Sequence, residues 1–176
     1  MRHSTRADGG HFPESNCSLS EEGKQLALQR GAVLASKMSG LDCIYVSPFE
    51  RTLETAQIVH SHFKSCKLKV TYDLAETLTV GHNNYQNITL SDQFREELKS
   101  KGGIALPESD SHIKERCLHL IAQLNATPFE NVLLISHAGL VQVFASLLSP
   151  GAACNLGYCD VACFEQQQEK WTPVCI

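Results

Sequence analysis

Two short apolar segments, each followed at once by a helical pattern, constrain the fold of this chain more than any other feature. Residues 42–46 read Asp-Cys-Ile-Tyr-Val, which is too short for a helix and too continuously apolar for a half-exposed strand, so they predict a buried parallel strand. Residues 132–135, Val-Leu-Leu-Ile, are the most apolar segment of this kind. Helical patterns follow directly, at Ser47-Pro48 and at Ser136-His137. Strands that alternate with helices in this way predict an α/β fold with a mainly parallel sheet.

The rest of the chain fits a three-layer α/β/α sandwich around that sheet. A capping box at residues 18–21 predicts a helix to Met38, with Leu26, Val33 and Leu34 on its apolar face. The next helix is predicted to have Ser47 as its cap and Pro48 as its first residue. Residues 75–91 show no period and predict a polar loop, which we interpret as a lid. The other predicted elements are helices over 91–100, 109–124 and 140–148 and strands over 68–72, 161–165 and 171–176, the last two closing the sheet.

Length and composition exclude several classes of protein. A chain of 176 residues predicts one domain, and 43% hydrophobic with 19% charged residues excludes a disordered tail protein. The net charge of −4 is not concentrated in blocks, which argues against binding to nucleic acid or to an anionic membrane. The chain has no apolar run of the roughly 18 residues that a membrane-spanning helix needs, and its start lacks the apolar stretch of a secretory signal. We therefore expect a cytoplasmic protein with no membrane partner.

The spacing of cysteine and histidine residues does not indicate a disulfide framework or a metal site. The eight cysteines are scattered and contain no Cys-x-x-Cys pair, so we expect reduced and mostly buried thiols. His60 and His62 are two residues apart on a predicted helix, so their side chains point to different faces. We therefore predict no metal ligands.

Arginine and histidine side chains fall at places where the predicted fold would bind an anion. The two strand-to-helix junctions lie at the carboxyl ends of parallel strands, where α/β sheets bind ligands. Arg51 lies on the first turn of the helix after Ser47, where free backbone N–H groups also attract anions. His137 lies at the second junction, and the sharpest local motif is Arg2-His3-Ser4-Thr5-Arg6. The alternatives are a frayed N-terminus, a salt bridge of Arg51 with Glu50 or Glu54, and an ordinary buried histidine.

Together these motifs resemble the histidine phosphatase superfamily, which has the phosphoglycerate mutase-like fold. The resemblance rests on Arg2-His3, Ser47-Pro48-x-x-Arg51-Thr52, Ser136-His137-Ala138-Gly139 and the helix start Leu19-Ser20-x-x-Gly23, in the family's order. Arg-His-x-x-Arg-x-Asp at residues 2–8 is similar to the phosphatase branch more than to the glycolytic mutases. The resemblance implies a single histidine-phosphatase-like domain over 1–176. In the family the Arg-His pair ends a central strand, whereas only Met1 precedes it here, so we expect a truncated first strand or a start further upstream.

The resemblance also implies a reaction and a set of site residues. It implies a phosphomonoester hydrolase that needs no metal and no cofactor and that forms a phosphohistidine intermediate on His3. Arg2, Arg51 and His137, assisted by Arg6, would surround the phosphate oxygens. Ser4 replaces the family's common glycine and is expected to crowd the phosphate or to hydrogen-bond it.

The resemblance places the general acid on Glu76, with Asp73 and Asp8 as alternatives. A nearby phosphate would raise the pKa of the Glu76 carboxyl and so keep it protonated. The substrate would be a phosphorylated small molecule or a phosphoprotein. The residues 82–85 either line the leaving-group side or form an ordinary exposed loop. The competing interpretations are a phosphotransferase of the phosphoglycerate mutase type and a non-catalytic module that binds phosphate esters or a protein. The sequence indicates neither the individual substrate nor the oligomeric state.

Overall fold

A parallel sheet organises the molecule, as the sequence predicts, and it has three strands among the described residues. The computed structural model describes residues 1–7, 16–80, 90–151, 155–168 and 170–174. The strands are β1 (Cys43–Val46), β2 (Lys67–Val70) and β3 (Val132–Ile135), in the order β2-β1-β3. β1 therefore lies in the middle, and Val46 pairs with Ile135 where β1 and β3 end.

The first three residues extend the sheet beyond β3. The Met1 ammonium group donates to the Leu134 carbonyl at 2.8 Å. The Ser136 amide donates to the Met1 carbonyl at 3.1 Å, and the His3 amide donates to the Ser136 carbonyl at 2.9 Å. Arg2 and Ser136 form a parallel bridge. His3 therefore reaches the same edge of the sheet as the two strand-to-helix junctions.

Helices cover both faces of the sheet, so the predicted three-layer sandwich is confirmed. They are α1 (Glu21–Lys37), α2 (Glu50–His60), α3 (Asp92–Gly102), α4 (Asp110–Asn125) and α5 (Ala138–Leu148). Ile44 and Val46 of β1 pack in one core with α1 and α2, whereas Cys43 and Tyr45 pack in a second core with α4 and α5. A third apolar cluster joins Leu98 of α3 to Phe49, the residue before α2, and also contains Ala75, Leu78, Leu90 and Ile104.

The first helix begins later than predicted, and Leu34 and Leu26 of its predicted apolar face pack in the core whereas Val33 does not. α1 begins at Glu21, and its cap is Ser20, whose hydroxyl accepts a hydrogen bond from the Gly23 amide at 3.0 Å. Val33 is 42% exposed, and the buried face consists of Gly23, Ala27, Gly31 and Leu34. The small residues allow close approach, because a Cβ atom at Gly23 would overlap the Thr5 carbonyl.

The prediction that two C-terminal strands close the main sheet is wrong. β4 (Cys163–Gln167) and β5 (Lys170–Val174) pair antiparallel with each other as a separate two-stranded sheet. Residues 165–167, Glu-Gln-Gln, are exposed, and so polar a segment has no face to bury in a central sheet. The predicted strand over 68–72 is shorter, and a 3-10 turn over Tyr72–Leu74 follows it. Within the described ranges, no helix has the length and apolarity to cross a membrane.

Candidate active site

His3 is a buried imidazole whose hydrogen bonding defines its tautomer. Its Nδ1 lies 2.7 Å from the Ser4 carbonyl oxygen. A carbonyl can only accept, so Nδ1 carries the proton and Nε2 carries the lone pair. Burial, followed by the charges of His137 and Arg51, lowers the pKa of His3 well below its ordinary value. The ring is therefore neutral at pH 7, with Nε2 as a nucleophilic nitrogen.

His137 is fully buried at the N-terminus of α5 and faces His3. The two ring centroids are 5.3 Å apart at an interplanar angle of 62°. The Ser47 hydroxyl lies 2.8 Å from Nε2 of His137. Nδ1 lies 3.1 Å from Nη2 of Arg51 and 3.2 Å from Oε2 of Glu76. Burial, with a further contribution from Arg51, lowers the pKa of His137 to about 4 against the opposing charge of Glu76.

The position of Ser47 corrects the predicted start of the second helix. α2 begins at Glu50 after the cap residue Phe49, which has no side-chain capping bond. Ser47 and Pro48 therefore precede the helix, and the Ser47 hydroxyl is hydrogen-bonded to Nε2 of His137 while it also accepts from the Phe49 amide at 3.5 Å. Phe49 at the cap and Ala56 and Val59 of α2 are fully buried.

Arg51 lies fully buried on the first turn of α2, and its ion-pair partner is Glu76. Nη2 of Arg51 is 3.4 Å from Oε2 of Glu76, and its guanidinium carbon lies 4.7 Å from the centre of the Phe49 ring. Glu54, a partner considered from the sequence, instead accepts a hydrogen bond from the Leu19 amide. Burial lowers the pKa of Arg51, but a guanidinium stays charged at neutral pH.

Glu76 is buried in the loop that follows the 3-10 turn, and its carboxyl is ionised at neutral pH. Burial alone would raise its pKa, but the contact with His137 and the charge of Arg51 outweigh that effect and hold the pKa well below its usual range. The Thr77 amide also donates to Oε1 at 3.1 Å. Beside a bound phosphate we expect the pKa of Glu76 to be raised. Its contacts with Arg51 and His137 have the opposite effect. Of the alternative acids, Asp73 points to His119, with Oδ2 at 3.2 Å from its Nδ1, and Asp8 lies outside the described residues.

Arg2 is held by a C-terminal segment that sequence reasoning missed. Its Nη1 donates to the Leu156 carbonyl at 2.9 Å, and its guanidinium carbon lies 4.0 Å from the centre of the Tyr158 ring. The Tyr158 ring is also 5.6 Å from the ring of His3. Nε of Arg2 is buried and has no hydrogen-bond partner within the described parts of the chain. No pattern around Tyr158 distinguishes it in the sequence, so only the fold identifies it.

Ser4 and Arg6 flank the histidine in different ways. The Ser4 hydroxyl donates to the Gly23 carbonyl at 2.6 Å, and the Ser4 amide donates to Oγ1 of Thr55 at 3.1 Å. The Ser4 side chain thus points into the scaffold, and its assignment to phosphate binding stays a prediction. Arg6 forms an antiparallel bridge with Leu19, and its charge contributes to lowering the pKa of Arg51. Residues 82–85 lie outside the described residues.

The histidine pair considered for a metal has structural contacts. His60 Nε2 lies 2.7 Å from the Cys66 carbonyl oxygen, and the His62 ring packs against Gly31. Among the described residues, no group of three or more His, Cys, Asp or Glu side chains is arranged to hold a metal ion. The site at the sheet edge instead combines two neutral imidazoles, two arginines and one carboxylate, which suits a tetrahedral anion.

The chain matches the model of a known protein family over nearly its whole length. The family model of the histidine phosphatase superfamily (branch 1) matches residues 2–176. This chain belongs to the histidine phosphatase superfamily. A phosphoglycerate mutase family protein of Acanthamoeba polyphaga mimivirus is 26% identical over 155 residues, which cover 82% of this chain and 74% of that protein.

Solved structures of histidine phosphatases have the same fold. A candidate alpha-ribazole-5'-P phosphatase of Escherichia coli superposes with a TM-score of 0.74 at 17% identity and covers 99% of this chain and 92% of its own. A mycobacterial glucosyl-3-phosphoglycerate phosphatase, solved in complex with VO3, gives a TM-score of 0.72 at 19% identity over 98% of this chain and 94% of its own. These likenesses confirm the phosphoglycerate mutase-like fold of this histidine phosphatase superfamily member.

Proposed function

We propose that this protein is a metal-independent phosphomonoesterase that uses His3 as its nucleophile. The observation that carries the proposal is the state of His3, which is neutral, has Nδ1 bound to the Ser4 carbonyl and has its ring 5.3 Å from His137. A histidine with one nitrogen fixed as a donor presents the other as a nucleophile. Superfamily membership and phosphatase-like folds support the same reaction class.

The phosphate would bind among the side chains of Arg2, Arg51 and His137. Arg2 keeps its buried Nε without a partner in the described residues, so it has a donor to offer to an anion. Arg51 and His137 now contact the carboxylate of Glu76, and a bound phosphate would compete with that carboxylate for them. The guanidinium groups offset the charge that shifts between oxygens in the transition state.

The reaction follows in two balanced steps. The Nε2 lone pair of His3 forms a bond to phosphorus while the ester P–O bond breaks, and the leaving oxygen takes a proton from the Glu76 carboxyl. Water then attacks the phosphohistidine, its proton passes to the Glu76 carboxylate, and phosphate and neutral His3 are released. Glu76 acquires its first proton because the phosphate takes over the contacts with Arg51 and His137 that hold its pKa down.

The proposal extends to the substrate class and setting. The substrate is a phosphorylated small molecule or a phosphoprotein, and the catalytic unit is one domain over residues 1–176. Cytoplasmic location and independence of metals stay predictions from the sequence. Adding a chelator to every assay tests directly whether the reaction needs a metal.

Hydrolysis of para-nitrophenyl phosphate in the presence of chelator tests the proposed function. We expect turnover, inhibition by vanadate, and an acid-labile phosphoryl group on the trapped protein. His3→Ala is expected to abolish both turnover and labelling, whereas the matched variant His60→Ala, whose imidazole contacts the Cys66 carbonyl, should retain both. Phosphate binding without turnover would mean a non-catalytic module. Phosphoryl transfer within a substrate, without phosphate release, would mean a mutase.

A further inference from the structure

A buried ion pair between Arg116 and Glu108 lies outside the groups that surround the proposed phosphate position. Nε of Arg116 donates to Oε1 of Glu108 at 2.7 Å, and Nη2 donates to Oε2 at 3.0 Å. The two side chains are only 3% and 0% exposed. Burying two charges costs several kcal/mol even when they pair, so the pair by itself adds little to stability. The other contacts of Arg116 indicate the role of the pair.

The remaining N–H groups of Arg116 donate hydrogen bonds to backbone carbonyls in and just before the loop that carries Glu76. Nη1 donates to the Asp73 carbonyl at 2.7 Å and to the Ala75 carbonyl at 3.0 Å. Nη2 reaches the Glu76 carbonyl at 3.4 Å. With the two bonds to Glu108, all five donors of the guanidinium have acceptors.

The loop needs these donors because it has no regular secondary structure of its own. Residues 75–80 form neither helix nor strand, so their buried carbonyls depend on partners from elsewhere. Glu108 adds a second attachment, since its amide donates to the Leu78 carbonyl at 2.8 Å. The Ser136 hydroxyl donates to the Leu74 carbonyl at 2.7 Å. The Glu76 backbone is thus held between α4 and the end of β3.

We propose that Arg116, oriented by Glu108, is a positioning residue for the general acid. It fixes the backbone of Glu76 so that the carboxylate lies 3.2 Å from Nδ1 of His137 and 3.4 Å from Arg51. The inference rests on the proposed function, because it assigns Arg116 a role only if Glu76 protonates the leaving group. Misplacement of a reacting group by about 1 Å costs about 10² in rate.

Dependence on the leaving group separates this role from a merely structural one. Phenolate leaves poorly and needs the proton from Glu76, whereas dinitrophenolate leaves readily without it. We expect Arg116→Lys, which keeps the charge but loses the fork, to lower kcat/KM for phenyl phosphate by about 10 to 10². The value for dinitrophenyl phosphate should change little. The ratio of the two constants is independent of the fraction of protein that is folded.

Three reference variants make the test decisive. The double variant Glu108→Gln with Arg116→Met removes both buried charges and should show the same altered ratio. Leu34→Ala, in the core on the opposite face of the sheet, destabilises the fold without touching the loop and should leave the ratio unchanged. Glu76→Gln should lower kcat/KM for phenyl phosphate by about 10² to 10⁴ and should not lower it for dinitrophenyl phosphate.

The outcomes distinguish the two proposals. Equal losses on both substrates in Glu76→Gln would refute Glu76 as the acid. A selective loss in Glu76→Gln, with a normal ratio in both Arg116 variants, would refute the positioning role alone.

Discussion

Replacing Glu76 with glutamine should make the free protein less stable and its binding of phosphate tighter. In the ligand-free site the carboxylate pairs with buried Arg51 at 3.4 Å and holds His137 at 3.2 Å. Removing one partner of a buried ion pair costs about 3–5 kcal/mol of folding free energy, because the remaining charge is left unpaired. A bound phosphate would restore a counter-charge to Arg51. The same variant should therefore gain more stability from phosphate than the wild type does.

The magnitude of the affinity gain follows from the protonation of Glu76. If wild-type Glu76 takes up a proton when phosphate binds at pH 7, raising its pKa from an ordinary value of about 4.3 to 7 costs about 3.7 kcal/mol. The pKa in the free site is below that ordinary value, so the cost is no smaller. Glutamine is neutral at every pH and escapes this cost. We expect Glu76→Gln to bind phosphate about 10² to 10³ times more tightly at pH 7.

The depressed pKa of Glu76 also determines how the affinity advantage of Glu76→Gln changes with pH. The depressed pKa of Glu76 means that its carboxylate stabilises the ligand-free protein above its unfolded pKa and loses this effect as the pH falls through the folded value. The affinity advantage of Glu76→Gln should therefore shrink by up to about tenfold per pH unit as the pH falls from 7 toward 4. Comparing the two proteins at each pH cancels the titration of phosphate itself.

Calorimetric titration with inorganic phosphate, and the midpoint of thermal unfolding with and without phosphate, measure both effects. Glu115→Gln, an exposed residue of α4, is the matched control and should behave as the wild type. Equal or weaker phosphate binding by Glu76→Gln would refute the competition between carboxylate and phosphate for Arg51 and His137.

Two further variants test contacts that sequence reasoning missed. Ser47→Ala removes the hydroxyl at 2.8 Å from the buried Nε2 of His137, so we expect a loss of about 1–3 kcal/mol in unfolding free energy and weaker phosphate binding. Denaturant unfolding checks this, and an unchanged midpoint would contradict it. Tyr158→Leu removes the ring that lies 4.0 Å from the Arg2 guanidinium, and phosphate affinity should fall by about 0.5–2 kcal/mol. Tyr158→Phe keeps the ring and should bind as the wild type, so a loss in both variants would point to the hydroxyl instead.

Those parts of the fold that depend on local pattern could be predicted from the sequence. The continuous apolar segments at 42–46 and 132–135 correspond to β1 and β3, and both lead into helices. Since parallel strands end at one edge of a sheet, the pattern also predicted that Arg51 and His137 would meet. They do, with Nη2 of Arg51 at 3.1 Å from Nδ1 of His137.

What depends on distant contacts could not be predicted in this way. Ser47 has the residue type and position of a helix cap, but a histidine 90 positions away in the sequence binds its hydroxyl. The ionisation of Glu76 depends on its contacts with Arg51 of α2 and with His137, the residue before α5, which no local pattern contains. The five hydrogen bonds of Arg116 to Glu108 and to three backbone carbonyls could not be predicted from the sequence either, because the bonded residues are 8 to 43 positions apart.

The register between β1 and β3 determines whether the residues of the proposed active site meet. Val46 lies opposite Ile135, and the Ser47 amide donates to the Ile135 carbonyl at 3.1 Å, which brings Ser47 level with His137. A slip of one residue between these strands would turn Ile44 and Val46 toward the wrong core and would carry the Ser47 hydroxyl away from the imidazole. Misaligned molecules would thus lack the geometry of the proposed active site, and under the proposed function specific activity would fall with the fraction of misaligned chains.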